Sequence, residues 1–297
     1  MRSCRCRKSL RQSMSSSPAS SSAPAPRGSH RHFFRGLARA FAGAVIFGLP
    51  LFMTMEMWWF GFHADRTRLA VLLLGTLPLL VGLSHYSGFE ETFDWVDDAV
   101  DALVACAVGL VSSVVVLTVF GLLGPGMSAS ELLGKVSLQM VPAAIGALLA
   151  AGQFAGRKER EEGKQRFRKY QGELFLMMAG AIFMGLSMAP TDEMVLLAYL
   201  MTPWHALALI VLSLLIMHAF VYAVESSGKA YLPPRTPGWS MFLRITFPGY
   251  AIALLTSAFV LWVFERLDGG GPATALGSVI VLAFPAAIGA GAARVII

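Results

Sequence analysis

Apolar runs of about 20 residues recur along the chain after residue 40, and polar residues are concentrated in the gaps between them. Examples are 102–123, 136–151 and 206–224. A helix of that length crosses the hydrocarbon core of a bilayer. None of these runs has the polar face that a helix on the surface of a soluble core would show. The pattern therefore predicts an all-α bundle of membrane-spanning helices.

The runs and the turn residues between them predict eight membrane helices, four in each half of the chain. The first four are expected at 37–53 (or 37–62), 66–86, 99–123 and 133–154, and the second four at 173–190, 202–224, 241–264 and 274–297. This reading divides the chain into a tail (1–32), a first membrane repeat (33–155), a linker (156–172) and a second membrane repeat (173–297).

Composition and charge support the membrane interpretation. The chain is 56% hydrophobic and 14% charged, whereas a soluble domain is normally about 25% charged. The net charge of +6 comes mainly from two segments: nine basic residues precede position 40 and seven lie in 156–173. Basic loops stay in the cytoplasm, so we expect both termini there and no nucleic-acid partner.

The first 30 residues are rich in Ser, Pro, Ala and Arg, and no acidic residue precedes Glu56. Such a segment is expected to be disordered. It also resembles an organellar transit peptide, and a start codon placed too far upstream would give the same pattern; a cytoplasmic tail is the interpretation we favour. The three cysteines, Cys4, Cys6 and Cys106, predict no disulfide framework.

The two halves of the chain resemble each other. Residues 42–57 read AGAVIFGLPLFMTMEM and residues 179–194 read AGAIFMGLSMAPTDEM, with eight of sixteen positions identical at an offset of 137. PAAIGA at 142–147 recurs at 285–290, and VLTVF at 116–120 corresponds to VLWVF at 260–264, with offsets of 143 and 144. Collinear matches of this kind predict a tandem duplication. Because four crossings separate the copies, both enter the membrane from the same side, and we expect a pseudo-twofold axis along the membrane normal.

The strongest candidate site is the matched pair Glu56 and Glu193, with Asp192 beside the latter. Carboxylates at membrane depth are costly and suggest a function, here binding of a cation or a proton between the repeats. A structural alternative is open as well. Thr54 and Thr191 each precede a glutamate by two residues, as at a helix N-terminus, which predicts short helices near 54–63 and 191–201. The two interpretations are compatible.

Four further residues are secondary candidates. Asp101 and Arg244 lie near the starts of matched helices and could form an ion pair that fixes packing. His85 and His218 lie near the inner ends of their helices, as hydrogen-bonded interface residues or as a ligand or proton relay. The chain lacks the motifs H-E-x-x-H, G-x-S-x-G and the P-loop, so we expect no enzyme, no cofactor and no metal centre.

The stretches RAFAGAVIFGLPLFMTMEMWW (39–59), PLLVGLSHYSGF (78–89), LGKVSLQMVPAAIGA (133–147) and APTDEM (189–194) resemble a bacterial family of integral membrane proteins, a domain-of-unknown-function family. The resemblance spans about 33–297. It implies the bacterial inner membrane and brings no activity, so no residue role follows from it.

Two functional hypotheses follow. The first is a transporter or channel for a cation or small solute, with a site between the repeats. The alternative is a non-transporting scaffold, sensor or assembly factor that acts through its cytoplasmic loops, the acidic segment 88–98 and the basic segment 156–173. The expected partners are the lipid bilayer and a small cation or solute, and the sequence leaves a homo-oligomer open.

Overall fold

A computed structural model of the chain describes residues 28–87, 95–154, 170–226 and 238–296, and every regular element in these ranges is helical. The first half contains α1 (Gly28–Phe52), α2 (Met55–His63), α3 (Arg66–Ser87), α4 (Trp95–Val119) and α5 (Ala129–Phe154). The second half contains α6 (Tyr170–Met188), α7 (Glu193–Leu200), α8 (Pro203–Ser226), α9 (Gly238–Val263) and α10 (Pro272–Ile296). Residues 1–27 of the expected tail and 155–169 of the expected linker lie outside the described residues.

Eight of these helices, all except α2 and α7, are long and apolar enough to cross a membrane. The prediction of an all-α bundle with eight membrane helices is therefore confirmed. Some boundaries differ. The third membrane helix, α4, begins at Trp95 and ends at Val119 rather than spanning 99–123, because Gly121 follows it with a positive φ of 72°. The fourth, α5, begins four residues before the predicted start, where the Ser128 hydroxyl accepts the N–H of Glu131 at 3.2 Å.

The first membrane helix of each half breaks and is followed by a short helix, as expected. The threonine hydroxyls do not cap the short helices, as a threonine at a helix N-terminus was expected to do. The Thr54 hydroxyl donates to the carbonyl of Pro50 at 2.6 Å, and the Thr191 hydroxyl donates to the carbonyl of Met188 at 2.9 Å. Both side chains therefore bond back to the preceding helix and leave the N–H groups of α2 and α7 uncapped.

The helices of the two halves have the same packing partners. In the first half α5 is central and contacts α1 to α4; in the second half α10 is central and contacts α6 to α9. The sequence-matched glycines also recur in the packing. Gly43 lies against Gly146 where α1 crosses α5, and Gly180 lies against Gly289 where α6 crosses α10. The duplication itself stays a prediction, but helices at the matched positions occupy corresponding places.

The contacts that α3 makes with the second half are not repeated as the predicted twofold requires, although the matched helices α1 and α6 do meet through the rings of Phe47 and Phe183, 5.7 Å apart. Helix α3 packs against α4 and α5 of its own half and also against α6 and α9 of the second half. Its counterpart, α8, packs against α9 and α10 of its own half. A twofold axis would generate a second contact of the same kind, in which α8 packs against α1 and α4. In the described part of the chain α8 makes no comparable contact with the first half.

Candidate functional site

A cavity of about 340 Å³ opens between α7 and the turn that joins α9 to α10. By the predicted topology both elements lie at the outer face, opposite the basic linker. We call this space the outer pocket. Its lining residues are Asp192, Val195, Leu196, Tyr199, Glu265, Arg266 and Asp268.

The wall of the outer pocket carries three carboxylates and one guanidinium. Arg266 forms an ion pair with Asp192 and also donates to the carbonyl of Pro190. Asp268 pairs with Arg68 of the first half at 2.7 Å. Glu265 instead accepts the backbone N–H of a first-half residue, Asp65, at 3.0 Å, and no cation among the described residues contacts it. Glu265 is therefore the lining carboxylate whose charge is not neutralised by an ion pair.

The matched region of the first half has a different chemistry. At offsets of 137 and 144, Trp58 and Trp59 stand where the pocket has Val195 and Leu196. Smaller side chains on α7 thus leave space that tryptophans would take up. Four charged lining residues, Asp192, Glu265, Arg266 and Asp268, match Met55, Gly121, Leu122 and Gly124. The second half therefore has smaller side chains on α7 and more charged side chains in the turn than the first half has at the matched positions.

Glu265 also has an unusual backbone conformation, with a φ of 58°. Its counterpart Gly121 has a φ of 72° and ends α4 in the same way. After Glu265 the N–H of Arg266 bonds the carbonyl of Leu261 at 2.9 Å, and after Gly121 the N–H of Leu122 bonds that of Leu117 at 2.9 Å. Glycine is the usual residue at this position of a helix end, and a residue with a Cβ costs roughly 1–2 kcal/mol there.

The neighbouring α3 begins with a side-chain cap. The Asp65 carboxylate accepts the N–H groups of Thr67 and Arg68 at 2.9 and 3.0 Å. The Arg68 backbone N–H, the largest influence, holds the pKa of the Asp65 carboxyl below its ordinary value. Asp65 therefore fixes the start of α3 with its side chain and holds Glu265 with its backbone.

The two glutamates predicted as a pair lie in corresponding places, in the first turns of α2 and α7. Glu56 is half-buried and Glu193 is exposed, and no hydrogen bond or ion pair joins them within the described residues. Neither lines the outer pocket, whereas their neighbour Asp192 does. A shared ion site at Glu56 and Glu193 stays a prediction.

Asp101 and Arg244 are not brought together. Asp101 accepts a hydrogen bond from the Ser84 hydroxyl at 3.3 Å. Arg244 is exposed in a π-helical turn of α9, Phe242–Thr246. The turn widens because Pro248 has no N–H to bond the carbonyl four residues earlier.

Each half places a histidine against the next membrane helix. His85 on α3 bonds the buried Asp98 carboxylate on α4 at 2.8 Å and stacks on Trp95. His218 on α8 bonds the Thr246 hydroxyl on α9 at 2.9 Å. Both are interface residues, as one of the two interpretations expected. Over the described ranges, no group of three His, Cys, Asp or Glu residues has the geometry to hold a metal ion.

Sequence reasoning missed a buried ion pair at the predicted inner face. Glu173 in the first turn of α6 accepts from Arg294 in the last turn of α10 at 2.8 Å, and their side chains are 8% and 2% exposed. The signal was present as two single charges at the ends of membrane helices, 121 residues apart.

A comparison with protein-family models identifies the chain. The family described as "Putative integral membrane protein (DUF2391)" matches residues 36–297. The chain belongs to this family. The match includes both halves and every residue of the outer pocket. No curated protein and no solved structure matches the chain. The eight apolar helices and the family together establish an integral membrane protein.

Proposed function

We propose that the protein is a transporter or channel for a cation or a small cationic solute, and that the outer pocket is where the solute binds. The observation that carries this proposal is the difference between the halves. The matched positions of the first half carry Trp58, Trp59 and uncharged turn residues, whereas the second half has a cavity lined by carboxylates. A change of volume and charge at the same place favours a ligand site over a packing role.

The charge of the pocket favours a cation. Two of its carboxylates have guanidinium partners, whereas the partner of Glu265 among the described residues is the uncharged N–H of Asp65. A bound cation would supply the missing positive charge, since carboxylates that line a cleft attract cations.

The position of the pocket favours transport over simple binding. It lies beside the contact between the halves, because Glu265 and Asp268 hold the first-half residues Asp65 and Arg68. It also adjoins the break between α6 and α7, and broken helices commonly line transport sites. A ligand at Glu265 would compete with the backbone N–H of Asp65 for this carboxylate. Binding would thus weaken one contact between the halves. We place the protein in the bacterial inner membrane with both termini in the cytoplasm.

The test is a flux assay in proteoliposomes with protons, sodium, potassium, magnesium, calcium and a small organic ammonium ion. Two variants alter the pocket separately: Glu265→Gln removes its free charge, and Val195→Trp restores the bulk found at Trp58. Matched controls are Asp97→Asn, an exposed acid at the start of α4, and Leu200→Trp, on the exposed side of α7. Both pocket variants should lose flux at least tenfold while the controls keep it.

Other outcomes separate the alternatives. Loss of flux in Glu56→Gln/Glu193→Gln with normal flux in both pocket variants would move the site to the glutamate pair. No flux of any tested cation by the folded wild type would remove the proposal and favour the scaffold, which would then depend on the charged cytoplasmic loops.

A further inference from the structure

Apart from a ring contact between Phe47 on α1 and Phe183 on α6, whose centroids are 5.7 Å apart, the two halves touch through a surface that each of them uses only once. The donor face is on α2 and α3 of the first half and includes Phe60, Arg68 and Gly82. The acceptor face is on α6 and the end of α9 and includes Phe175, Phe264 and Asp268. The rings of Phe60 and Phe264 lie 4.9 Å apart, Arg68 pairs with Asp268 at 2.7 Å, and the ring of Phe175 fills the space beside Gly82.

The duplicated sequence contains a second copy of both faces. The matched donor face is on α7 and α8 and includes Leu197, His205 and Ala219. The matched acceptor face is on α1 and the turn after α4 and includes Ala38, Phe120 and Gly124. All six of these residues are exposed.

The faces that meet between the halves and their matched copies differ most clearly in how far their residues are buried. Phe60 and Phe264, which meet between the halves, are 6% and 0% exposed. Their matched residues, Leu197 and Phe120, are 44% and 43% exposed. Helix α8 is also the least buried of the eight membrane helices, with 17% of its span buried inside the protein. The contact between the donor face and the acceptor face is therefore head-to-tail, and it leaves one complementary face open on each half.

We propose that the open donor face of one chain binds the open acceptor face of a second copy, in the same register as the contact within the chain. A head-to-tail contact closes when the units form a ring. The smallest ring of whole chains is a dimer, in which each chain supplies one open donor face and one open acceptor face. This inference does not depend on transport.

The residues of the open faces suit this contact. Ala219 and Ala38 are small, and small residues let membrane helices approach closely. Leu197 and Phe120 keep the apolar character of Phe60 and Phe264. The ion pair is not retained, since His205 and Gly124 stand in place of Arg68 and Asp268. The contact between copies would thus rest on close packing of small and apolar side chains, without desolvating an ion pair.

The experiment is cysteine crosslinking of the full chain in membranes, after Cys4, Cys6 and Cys106 have been changed to serine. Ala38→Cys and Ala219→Cys are made in two chains with different tags and are co-expressed. Oxidation should give a mixed disulfide-linked dimer, and each variant expressed alone should give at least tenfold less. Leu255→Cys, on the exposed side of α9 outside both faces, replaces Ala219→Cys in the control and should give no dimer above background.

Two results would overturn the proposal. One is a disulfide within a single chain that carries both cysteines, because the halves would then close on each other. The other is no crosslink above the Leu255→Cys control. A second variant tests the face without a disulfide: Ala219→Trp should convert the dimer to a monomer, counted by photobleaching steps of a labelled chain in the bilayer, while Leu255→Trp should leave it dimeric. A monomeric wild type in that count would also contradict the inference.

Discussion

Gly180 and Gly289 lie against each other where α6 crosses α10, and neither position has room for a Cβ atom because each faces the carbonyl oxygen of the other. Gly43 and Gly146 make the matched contact between α1 and α5. Close crossings of small residues are a main source of helix association in membranes, because the hydrophobic effect does not drive helices together in lipid. The two glycine pairs therefore set how closely the first helix of each half approaches the central one.

A methyl group at this crossing should destabilise the bundle. We expect Gly180→Ala to lower the free energy of unfolding by about 1–3 kcal/mol, since a Cβ atom would overlap the Gly289 backbone. Gly75→Ala is the matched control in another membrane helix, where a Cβ atom would meet nothing within 4 Å. That change should be neutral or stabilising by about 0.5–1 kcal/mol. Thermal unfolding in detergent measures both, and equal midpoints for the two variants would contradict the packing role.

The packing of each half could be read from the sequence because its determinants are local and repeated. Apolar runs gave eight helices, and the matched segments at 42–57 and 142–147 contain the glycines that meet. The sequence also contains the signal for the strained residue of the pocket: VLTVFG and VLWVFE differ at their third and last positions, and at the last Glu265 stands in place of Gly121.

The sequence did not predict the contacts between the halves. Arg68 is half-buried and Asp268 is exposed, they are 200 residues apart, and nothing local indicates which charges face each other once the bundle has formed. The expected pair of Asp101 and Arg244 failed for a related reason. Asp101 lies beside Ser84 of α3 and Arg244 is exposed, so matching positions in the two halves did not place these side chains against each other.

The positive φ at Glu265 gives a second prediction. Glu265→Gly and Glu265→Ala both remove the carboxylate and its bond to Asp65, so they differ only in the backbone. Glycine should be the more stable by roughly 1–2 kcal/mol, because it adopts this conformation without a Cβ clash. Chemical denaturation of both variants measures the difference. Gly121→Ala should lower the free energy of unfolding by a similar amount. A Glu265→Ala chain as stable as Glu265→Gly would show that the backbone at this position is not strained.

The cap at Asp65 gives a pH-dependent prediction. Because the pKa of this carboxyl is lowered in the folded protein, its contribution to stability is present above the pKa of the unfolded chain, about 3.9, and is lost as the pH falls through the folded value. The wild type should therefore unfold at a higher temperature than Asp65→Ala at pH 6, and the gap should narrow below about pH 4. Thermal unfolding between those values measures it. A gap that stays constant would show that the charged form does not stabilise α3.

The buried residues Glu173 and Arg294 should stabilise the protein mainly through their ion pair and not as independent side chains. Removing one partner leaves a buried charge, so Glu173→Gln and Arg294→Met should each destabilise the protein by about 3–5 kcal/mol. The double variant leaves no isolated charge, and its loss should fall well below the sum of the two single losses. Unfolding of the four proteins in detergent completes this double-mutant cycle. Additive losses would show that the two side chains act independently, in which case α6 and α10 would be joined at this end by their packing rather than by the ion pair.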